Sequence, residues 1–347
     1  MSTPLQASEP QTQVHPPTSL QIGYDKRLMV AAGSTSGELA AKITDKLGLE
    51  LTDPGLKKFS NGEVYCRYKE SLRGADLFLV QSTIGNGEIS TNDALMELLV
   101  MIDAAQGASA HRIIAVMPWY GYSRQDKKSE PREPITARLV AKMLEVADVD
   151  RVLTMDLHAG QLQGFFSEPV DHMTAMPLLN QYVKDQLMNG KDDIVIISPD
   201  AGRVKLTRKF AQKVGAPYAL LEKERPEHQI ATTGYVIGEV KGKRAVIVDD
   251  MIDTGGTLAA AAQTVLDEGA TEVHAMATHG IFSGNAYETL SNSPLSSIVV
   301  TDTIPLPPGA PKIVKQVTTA DILADSIRRI FTDGSVSEIF SGENQLF

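Results

Sequence analysis

The sequence has almost no cysteine and no long apolar run. Its single cysteine, Cys66, excludes an internal disulfide and gives no reason to expect an oxidising compartment. No stretch approaches the roughly 18–20 apolar residues that a membrane helix needs. The N-terminus also lacks the basic and apolar regions of a signal peptide. We therefore expect a cytoplasmic protein with no membrane partner.

Basic residues are in deficit. The 347-residue chain has 33 Lys and Arg against 43 Asp and Glu, which gives a formal net charge of −10. This balance argues against general nucleic-acid binding. It does not exclude anionic substrates, because local cationic clusters or Mg²⁺ can reverse the sign of the charge at a site.

Buried-strand patterns and amphipathic helices alternate along almost the whole chain. The length exceeds the ~250–300 residues at which a single core stops growing, and an apolar content of 42% is enough for packed cores. We predict an α/β protein with two tandem, doubly wound, mostly parallel sheets. Residues 1–22 are rich in Pro, Gln, Ser and Thr and are expected not to pack. The predicted domains are 23–170 and 171–347, and the last helix of the second is expected to pack back on the first.

One stretch, 244–258, carries the strongest chemical signal. An apolar strand predicted to end at Val248 is followed by two carboxylates and then by a Gly-rich turn at the start of a helix. Small residues there let backbone N–H groups converge on a phosphate, and the helix dipole favours the anion. The carboxylates would instead accept hydrogen bonds from sugar hydroxyls, directly or through a divalent cation. The candidate ribose 5-phosphate residues are therefore Asp249, Asp250, Asp253, Thr254, Gly255, Gly256 and Thr257.

The alternative for this stretch is an ordinary strand, turn and helix with aspartates as caps. Short Gly-rich turns are common and nonspecific. Three carboxylates, two threonines and two glycines within nine residues are more than a turn requires. The sequence therefore favours a sugar-phosphate site.

Other polar motifs also follow predicted strands, which is where ligands bind in such sheets. His158 and Asp200 are either turn and cap residues or an imidazole and a carboxylate that hold the Mg²⁺ of a nucleotide. Arg124 lies in a long polar loop, 118–134, and Lys223 and Arg225 follow another strand. These cations are either solvated charges or a set that converges on a polyphosphate during transfer.

The segment around Asn61 contains a predicted tight turn, because Asn61 is followed by glycine. Phe59 and Asn61 have two interpretations, core packing with a turn or stacking on and hydrogen bonding to a purine, with Glu63 nearby.

Taken together, these motifs closely resemble ribose-phosphate pyrophosphokinases, and the match runs in order from about Leu28 to Phe340. The segments that carry it are KFSNGE (58–63), YSRQDKK (122–128), TMDLHA (154–159), QGFF (163–166), SPDAG (198–202), KER (223–225), VDDMIDTGGT (248–257) and THGIF (278–282). The resemblance implies two domains of the type I phosphoribosyltransferase fold. It also implies Mg²⁺-dependent transfer of the β,γ-diphosphoryl group of ATP to the 1-hydroxyl of ribose 5-phosphate, which releases AMP and supplies nucleotide, histidine and tryptophan biosynthesis.

The resemblance further implies a homo-hexamer built of dimers, activated by inorganic phosphate and inhibited by ADP. Stretch 249–257 would hold ribose 5-phosphate, and His158 and Asp200 would serve MgATP. Arg124 and Gln125 would contact ATP, while Phe59, Asn61 and Glu63 would bind adenine from a neighbouring subunit. Lys223 and Arg225 would stabilise the pentacoordinate β-phosphorus during in-line attack.

Two positions depart from the family pattern. Gly62 follows Asn61 where many members carry a larger residue, and Arg203 follows Gly202 where many carry a second glycine. The N-terminal extension is also longer than is typical. Neither substitution removes a proposed ligand, although Arg203 is expected to alter the environment of the phosphate.

Two other functions remain open from the sequence. A phosphoribosyltransferase would share the sugar-phosphate loop, but it leaves the cation loop and the second domain unexplained. A non-catalytic regulatory subunit of the same family would typically carry altered catalytic motifs, whereas His158, Lys223 and Arg225 are intact here.

Overall fold

The computed structural model describes residues 26–85, 87–188, 190, 193–223 and 234–340. The extension over residues 1–22 and Arg225 lie outside the described residues. Within them, strands and helices alternate as predicted and form two main sheets with helices packed on both faces of each. The predicted fold class is confirmed.

The first part of the chain forms a five-stranded sheet and a small hairpin. Their strands are β1 (Arg27–Ala32), β2 (Lys57–Lys58), β3 (Val64–Tyr65), β4 (Ala75–Val80), β5 (Arg112–Met117), β6 (Arg151–Met155) and β7 (Val170–Met173). The sheet is parallel throughout, in the order β1-β4-β5-β6-β7, while β2 and β3 pair antiparallel with each other. All six residues of β4 are buried, as expected for a central parallel strand covered on both faces.

Three helices belong to this part: α1 (Gly37–Leu47), α2 (Thr91–Gly107) and α3 (Thr136–Val146). A capping box starts α2, in which the side chains of Ser90 and Asp93 each accept a hydrogen bond from the other residue's backbone N–H. One face of the sheet packs against α2 and α3 through residues such as Leu98 and Leu144. The other face packs against α1, with Ile43 fully buried.

The second part of the chain forms a seven-stranded sheet. Its strands are β8 (Ile194–Ser198), β9 (Tyr218–Lys223), β10 (Gly234–Ile237), β11 (Arg244–Ile252), β12 (Glu272–Gly280), β13 (Ser297–Thr301) and β14 (Val314–Val317). They lie in the order β10-β9-β8-β11-β12-β13-β14, and the edge strand β10 is antiparallel to β9 while the other neighbours are parallel. β11 is therefore central, with Ala245 to Val248 and Ile252 buried.

The remaining helices are α4 (Met176–Tyr182), which continues as a π-helical segment (Val183–Met188), α5 (Val204–Val214), α6 (Gly256–Asp267), α7 (Ala286–Ser291) and α8 (Ala320–Phe331). One face of the second sheet packs against α6 and α7, and the other packs against α4 and α5. The last helix, α8, leaves this sheet and buries Leu323 and Ile327 against α1 and the first sheet.

Polar and aromatic contacts join the two sheets where β6 and β12 end. The Thr278 hydroxyl donates to Asp156 Oδ2 at 2.6 Å. His279 Nε2 lies 3.1 Å from the carbonyl oxygens of Met155 and Asp156, and its ring packs edge-on against Trp119. These contacts hold the carboxyl ends of the two sheets next to each other. Among the described helices, none is both long and apolar enough to span a bilayer.

Candidate active site

An open cavity of about 270 Å³ lies where the ends of β6, β8 and β11 meet. It brings together side chains from both sheets, although the sequence spreads them over more than a hundred positions. Nine of the residues singled out from the sequence line it: Arg124, His158, Asp200, Asp249, Asp250, Asp253, Thr254, Gly255 and Thr257. Parallel sheets place strand ends at one edge, so this location agrees with the expected ligand position.

The Gly-rich turn connects β11 to α6 on one side of this cavity. Gly255 has φ +77°, in the left-handed region that favours glycine, and α6 begins at the next residue, Gly256. A Cβ on Gly255 would lie 2.7 Å from Cγ of the buried Leu290. The amides of the first helical turn have no acceptor within the helix, so they can receive an anion.

The strand before this turn is longer than the sequence predicts. β11 extends to Ile252 rather than ending at Val248, and Asp249 lies opposite Ala277 of β12. The reason is that β12 also continues, to Gly280, and offers backbone partners along the added length. Asp249 and Asp250 are therefore held by a sheet ladder instead of a turn.

The two adjacent aspartates have opposite electrostatic environments. Asp250 is 4% exposed; its Oδ2 accepts a hydrogen bond from His158 Nδ1 at 2.7 Å and forms an ion pair with Arg203 Nη2 at 2.8 Å. Burial opposes ionisation, but the hydrogen bond from His158 and the charge of Arg203 outweigh it and lower the pKa of Asp250 to about 2. For Asp249, burial and then the negative charge of Asp250 raise the pKa well above its ordinary value. The pair thus combines one firmly ionised carboxylate with one whose charge is costly.

Asp156 directly follows β6 and has φ +38°, an uncommon conformation for a residue other than glycine. This turn of the backbone precedes His158, which lines the cavity. The Asp156 side chain is fully buried, and burial raises its pKa to about 6. Its Oδ2 accepts from Thr278 Oγ1 and from the backbone N–H of Ala175 at 2.9 Å, so it ties β6 to the second sheet.

The contact between His158 and Asp250 selects one form of the imidazole. A carboxylate only accepts hydrogen bonds, so Nδ1 of His158 carries the hydrogen that points toward Asp250. In the neutral ring, Nε2 then keeps a lone pair. This is the arrangement in which a second group orients a histidine for a cation or for a hydrogen-bond donor.

Arg124 and Asp253 form an ion pair at the mouth of the cavity. Arg124 Nη1 lies 2.5 Å from Asp253 Oδ2 and so connects the long polar loop of the first sheet to the Gly-rich turn of the second. The other oxygen, Asp253 Oδ1, is buried and has no hydrogen-bond partner among the described residues. Asp200 is exposed at the rim, and its Oδ1 accepts from the backbone N–H of Arg203 at 3.1 Å.

Several predicted site residues lie elsewhere. Phe59, Asn61 and Glu63 are exposed on the turn between β2 and β3, outside the cavity of the same chain. Gly62 in that turn has φ +92°, which explains a glycine at this position. The side chain of Gln125 accepts from Thr136 Oγ1 at 2.6 Å at the start of α3.

For three further predicted residues, the structure shows no side chain in the cavity. Gly256 opens α6 without lining the cavity. Lys223 is the last residue of β9, and the structure describes its backbone only; Arg225 lies outside the described residues.

Arg203 lines the cavity but is not among the site residues that the sequence predicts. It follows a short 3-10 turn after β8, and its guanidinium contacts both Asp249 and Asp250. The only sequence signal is a cation directly after the SPDAG segment. Its partners are 46 and 47 positions away, so the contact itself could not be read from local pattern.

Two family models match the chain. One is described as the N-terminal domain of ribose phosphate pyrophosphokinase and matches residues 28–147. The other is described as a phosphoribosyl synthetase-associated domain and matches residues 195–341. The first match ends before β6 and β7 of the first sheet, and the second covers the seven-stranded sheet from the second residue of β8 onward.

Relatives match along nearly their whole length. The chain is 47% identical over 324 residues to the ribose-phosphate pyrophosphokinase of Clostridium acetobutylicum, which covers 93% of this chain and 100% of that one. It is 48% identical over 320 residues to that of Caldanaerobacter subterraneus subsp. tengcongensis, with 92% and 99% covered.

A solved structure agrees with these matches. The crystal structure of phosphoribosylpyrophosphate synthetase from Mycobacterium smegmatis is 41% identical and superposes with a TM-score of 0.82, over 89% of this chain and 100% of that chain. Sequence identity at this level over this length, two matching domain models and a shared fold lead to one conclusion: the chain belongs to the ribose-phosphate pyrophosphokinase family.

Proposed function

We propose that the cavity between the two sheets is the active site of a ribose-phosphate diphosphokinase. The reaction transfers the β,γ-diphosphoryl group of MgATP to the 1-hydroxyl of ribose 5-phosphate and gives 5-phosphoribosyl 1-diphosphate and AMP. One observation carries the proposal: a sugar-phosphate loop from the second sheet and the cation and imidazole of Arg124 and His158 from the first line the same cavity.

Ribose 5-phosphate binds at the Gly-rich turn. The free amides at the start of α6 and the hydroxyls of Thr254 and Thr257 receive its phosphate, while Gly255 and Gly256 allow the close approach. Asp253 closes the turn through its pair with Arg124. Asp249 and Asp250 precede the turn and line the same cavity. Their carboxylates accept hydrogen bonds from the hydroxyls of the sugar ring.

The nucleotide binds on the side of the first sheet. Arg124 is released from Asp253 to the phosphates of ATP, with Gln125 beside it. Phe59, Asn61 and Glu63 take the adenine of a neighbouring copy, since they lie outside the cavity of their own chain. This arrangement requires an oligomer, and we propose the homo-hexamer that the resemblance implies.

The donor groups in the cavity fit a magnesium ion carried by the nucleotide. Asp200 presents an exposed carboxylate at the rim of the cavity, and His158 keeps a lone pair on Nε2 in its neutral form. In the described part of the chain, no three His, Cys, Asp or Glu side chains form a cage, which agrees with an ion that keeps several waters and shares substrate phosphates. His158 and Asp200 would hold Mg²⁺, which supplies charge neutralisation of the triphosphate.

Lys223 and Arg225 are the proposed catalytic residues. The 1-hydroxyl oxygen of the sugar attacks the β-phosphorus in line and loses its proton to solvent. A new O–P bond forms, and the bond from the β-phosphorus to the oxygen bridging to the α-phosphate breaks. AMP leaves with that oxygen. Such transfers depend mainly on positioning and on stabilising negative charge, which two cations beside the β-phosphorus provide.

The proposal extends to the regulation of the enzyme and to its location in the cell. Inorganic phosphate would activate and ADP would inhibit, both acting on the oligomer. ATP and ribose 5-phosphate are available in the cytoplasm, where we place the activity.

The primary test is product formation by the purified chain. With ATP, ribose 5-phosphate, Mg²⁺ and phosphate present, AMP and the sugar diphosphate should appear in a one-to-one ratio by ion-exchange chromatography and phosphorus NMR. Omitting either substrate should abolish AMP formation. Release of ADP in place of AMP, or no turnover, would contradict the proposed reaction.

A second test concerns the two catalytic cations. Lys223→Ala and Arg225→Ala should each lower kcat by about 100-fold or more, with smaller changes in KM, since transition-state charge stabilisation is lost. The matched control is Lys205→Ala, which removes an exposed cation on α5 and should leave both constants unchanged. If both variants raised KM and left kcat unchanged, the two residues would act in substrate binding and not in catalysis.

A further inference from the structure

Arg203 sits between the two sheets at the candidate sugar site. Its side chain is only 14% exposed. Its Nε lies 3.2 Å from Asp249 Oδ1, and its Nη2 lies 2.8 Å from Asp250 Oδ2. Nη2 also lies 2.9 Å from Nδ1 of His158, a residue of the first sheet. Both nitrogens are donors that share Asp250 Oδ2, so this approach is not a hydrogen bond. One guanidinium therefore pairs with two carboxylates of the cavity at once.

The ion pairs of Arg203 each involve one named oxygen of a carboxylate. Asp249 Oδ1 pairs with Arg203 and accepts a hydrogen bond from the backbone N–H of Asp250, while Asp250 Oδ2 pairs with Arg203 and accepts from His158 Nδ1. A planar, forked cation suits this task, because its separate nitrogens reach two carboxylates at once.

Two neighbouring carboxylates in a partly enclosed cavity repel each other strongly, since the interaction grows as water is excluded. A positive charge between them is needed if both are to accept hydrogen bonds from a sugar. A divalent cation supplies that charge at a site without a protein cation. Here a side chain supplies it, held in place by its own loop, where Asp200 caps the Arg203 amide.

We propose that Arg203 is a built-in counter-cation that positions Asp249 and Asp250 for the sugar hydroxyls, so that ribose 5-phosphate binds without a divalent cation. This inference rests on the proposed function, because it requires that the two carboxylates bind the sugar. Arg203 is a positioning residue: it acts through the carboxylates and need not touch the substrate. In the opposite role, the guanidinium would occupy the sugar site and would have to be displaced. Removing it would then strengthen the binding of ribose 5-phosphate.

The test is calorimetric titration of the full-length protein with ribose 5-phosphate alone, in EDTA and in Mg²⁺. Wild type should bind in EDTA, with an affinity that Mg²⁺ changes by less than about threefold. Arg203→Gln should weaken binding in EDTA by about tenfold or more, the usual size for a lost charge-assisted contact, and Mg²⁺ should restore most of the loss. Arg203→Lys, which keeps the charge, should lose less than Arg203→Gln.

The outcomes separate the inference from the proposed function. Unchanged or tighter binding of Arg203→Gln in EDTA overturns the counter-cation role, and so does an equal loss in Arg203→Lys. If the double variant Asp249→Asn with Asp250→Asn binds the sugar as wild type does, the proposed sugar site itself is wrong. Lys205→Ala serves as the matched control and should bind as wild type under both conditions. Melting temperatures show whether each variant is folded. If Arg203→Gln does not fold, the binding of ribose 5-phosphate by Arg203→Lys in EDTA and in Mg²⁺ still tests the proposal.

Discussion

Asp249 and Asp250 are adjacent in sequence, yet the structure assigns opposite energetic roles to their charges. We predict that Asp250→Asn destabilises the fold, whereas Asp249→Asn leaves stability unchanged or raises it. Both substitutions preserve shape, and an asparagine at position 249 would still accept the hydrogen bond that Asp249 Oδ1 now accepts from the backbone N–H of Asp250 at 2.8 Å. Both should weaken ribose 5-phosphate binding, because each removes a carboxylate from the proposed sugar site.

The magnitude for Asp250 follows from its pKa. A pKa lowered from 3.8 to about 2 in the folded state means that the ionised carboxylate contributes about 2 kcal/mol to stability at neutral pH. Asp250 is 4% exposed, so solvent screens this contribution little. Its folded pKa lies below the unfolded value, so the contribution is present above pH 3.8 and is lost as the pH falls toward 2. For Asp249 the pKa is raised by burial and by Asp250, so ionisation costs stability at neutral pH and a neutral amide removes that cost.

The assay is thermal unfolding by differential scanning fluorimetry at about pH 7.5, without substrates and in EDTA, with calorimetric titration of ribose 5-phosphate on the same samples. Asp250→Asn should unfold several degrees below wild type, and Asp249→Asn within about one degree of it or above it. Equal destabilisation by the two variants would refute the assignment of opposite roles, whatever their effects on sugar binding.

The remaining predictions concern the phosphate turn, the ATP loop and a buried histidine. Gly255→Ala forces a side chain into the left-handed conformation and against Leu290, so it should lower stability by about 1–2 kcal/mol and weaken phosphate binding; its control, Gly256→Ala, meets no atom within 4 Å and should keep the melting temperature. Arg124→Gln breaks an ion pair whose cation is 55% exposed, so the free energy of unfolding should change by less than about 1 kcal/mol. The KM for ATP should rise, and an unchanged KM would contradict the proposed role of Arg124. Burial lowers the pKa of His279 to about 4 in the folded protein. Below pH 6.5 the unfolded chain therefore binds a proton that the folded chain does not, and wild type should lose stability relative to His279→Gln, by about 3 kcal/mol at pH 4. A stability difference that does not depend on pH in denaturant titrations would contradict this.

Much of the fold could be predicted because its signals are local. The apolar run of β5 and the helical spacing of α3 reflect which side chains a strand or a helix buries, and consecutive residues contain that pattern. Short or polar elements carry no such pattern. β7, Val170–Met173, includes Asp171 and His172 and is not predicted by the sequence, and it is a strand because β6 offers it backbone partners.

The sequence by itself determined which chemical groups the site contains: a Gly-rich turn before α6, a pair of carboxylates and cations placed after strands. Local pattern suffices for this because strand ends and helix starts fix where backbone amides and polar side chains are free. Only the tertiary structure decided which of these groups meet. His158 and Asp250 are 92 positions apart and Arg203 lies close to both. These contacts exist because the carboxyl ends of the two sheets are joined through Thr278 and Asp156, which sets distances that no local periodicity encodes.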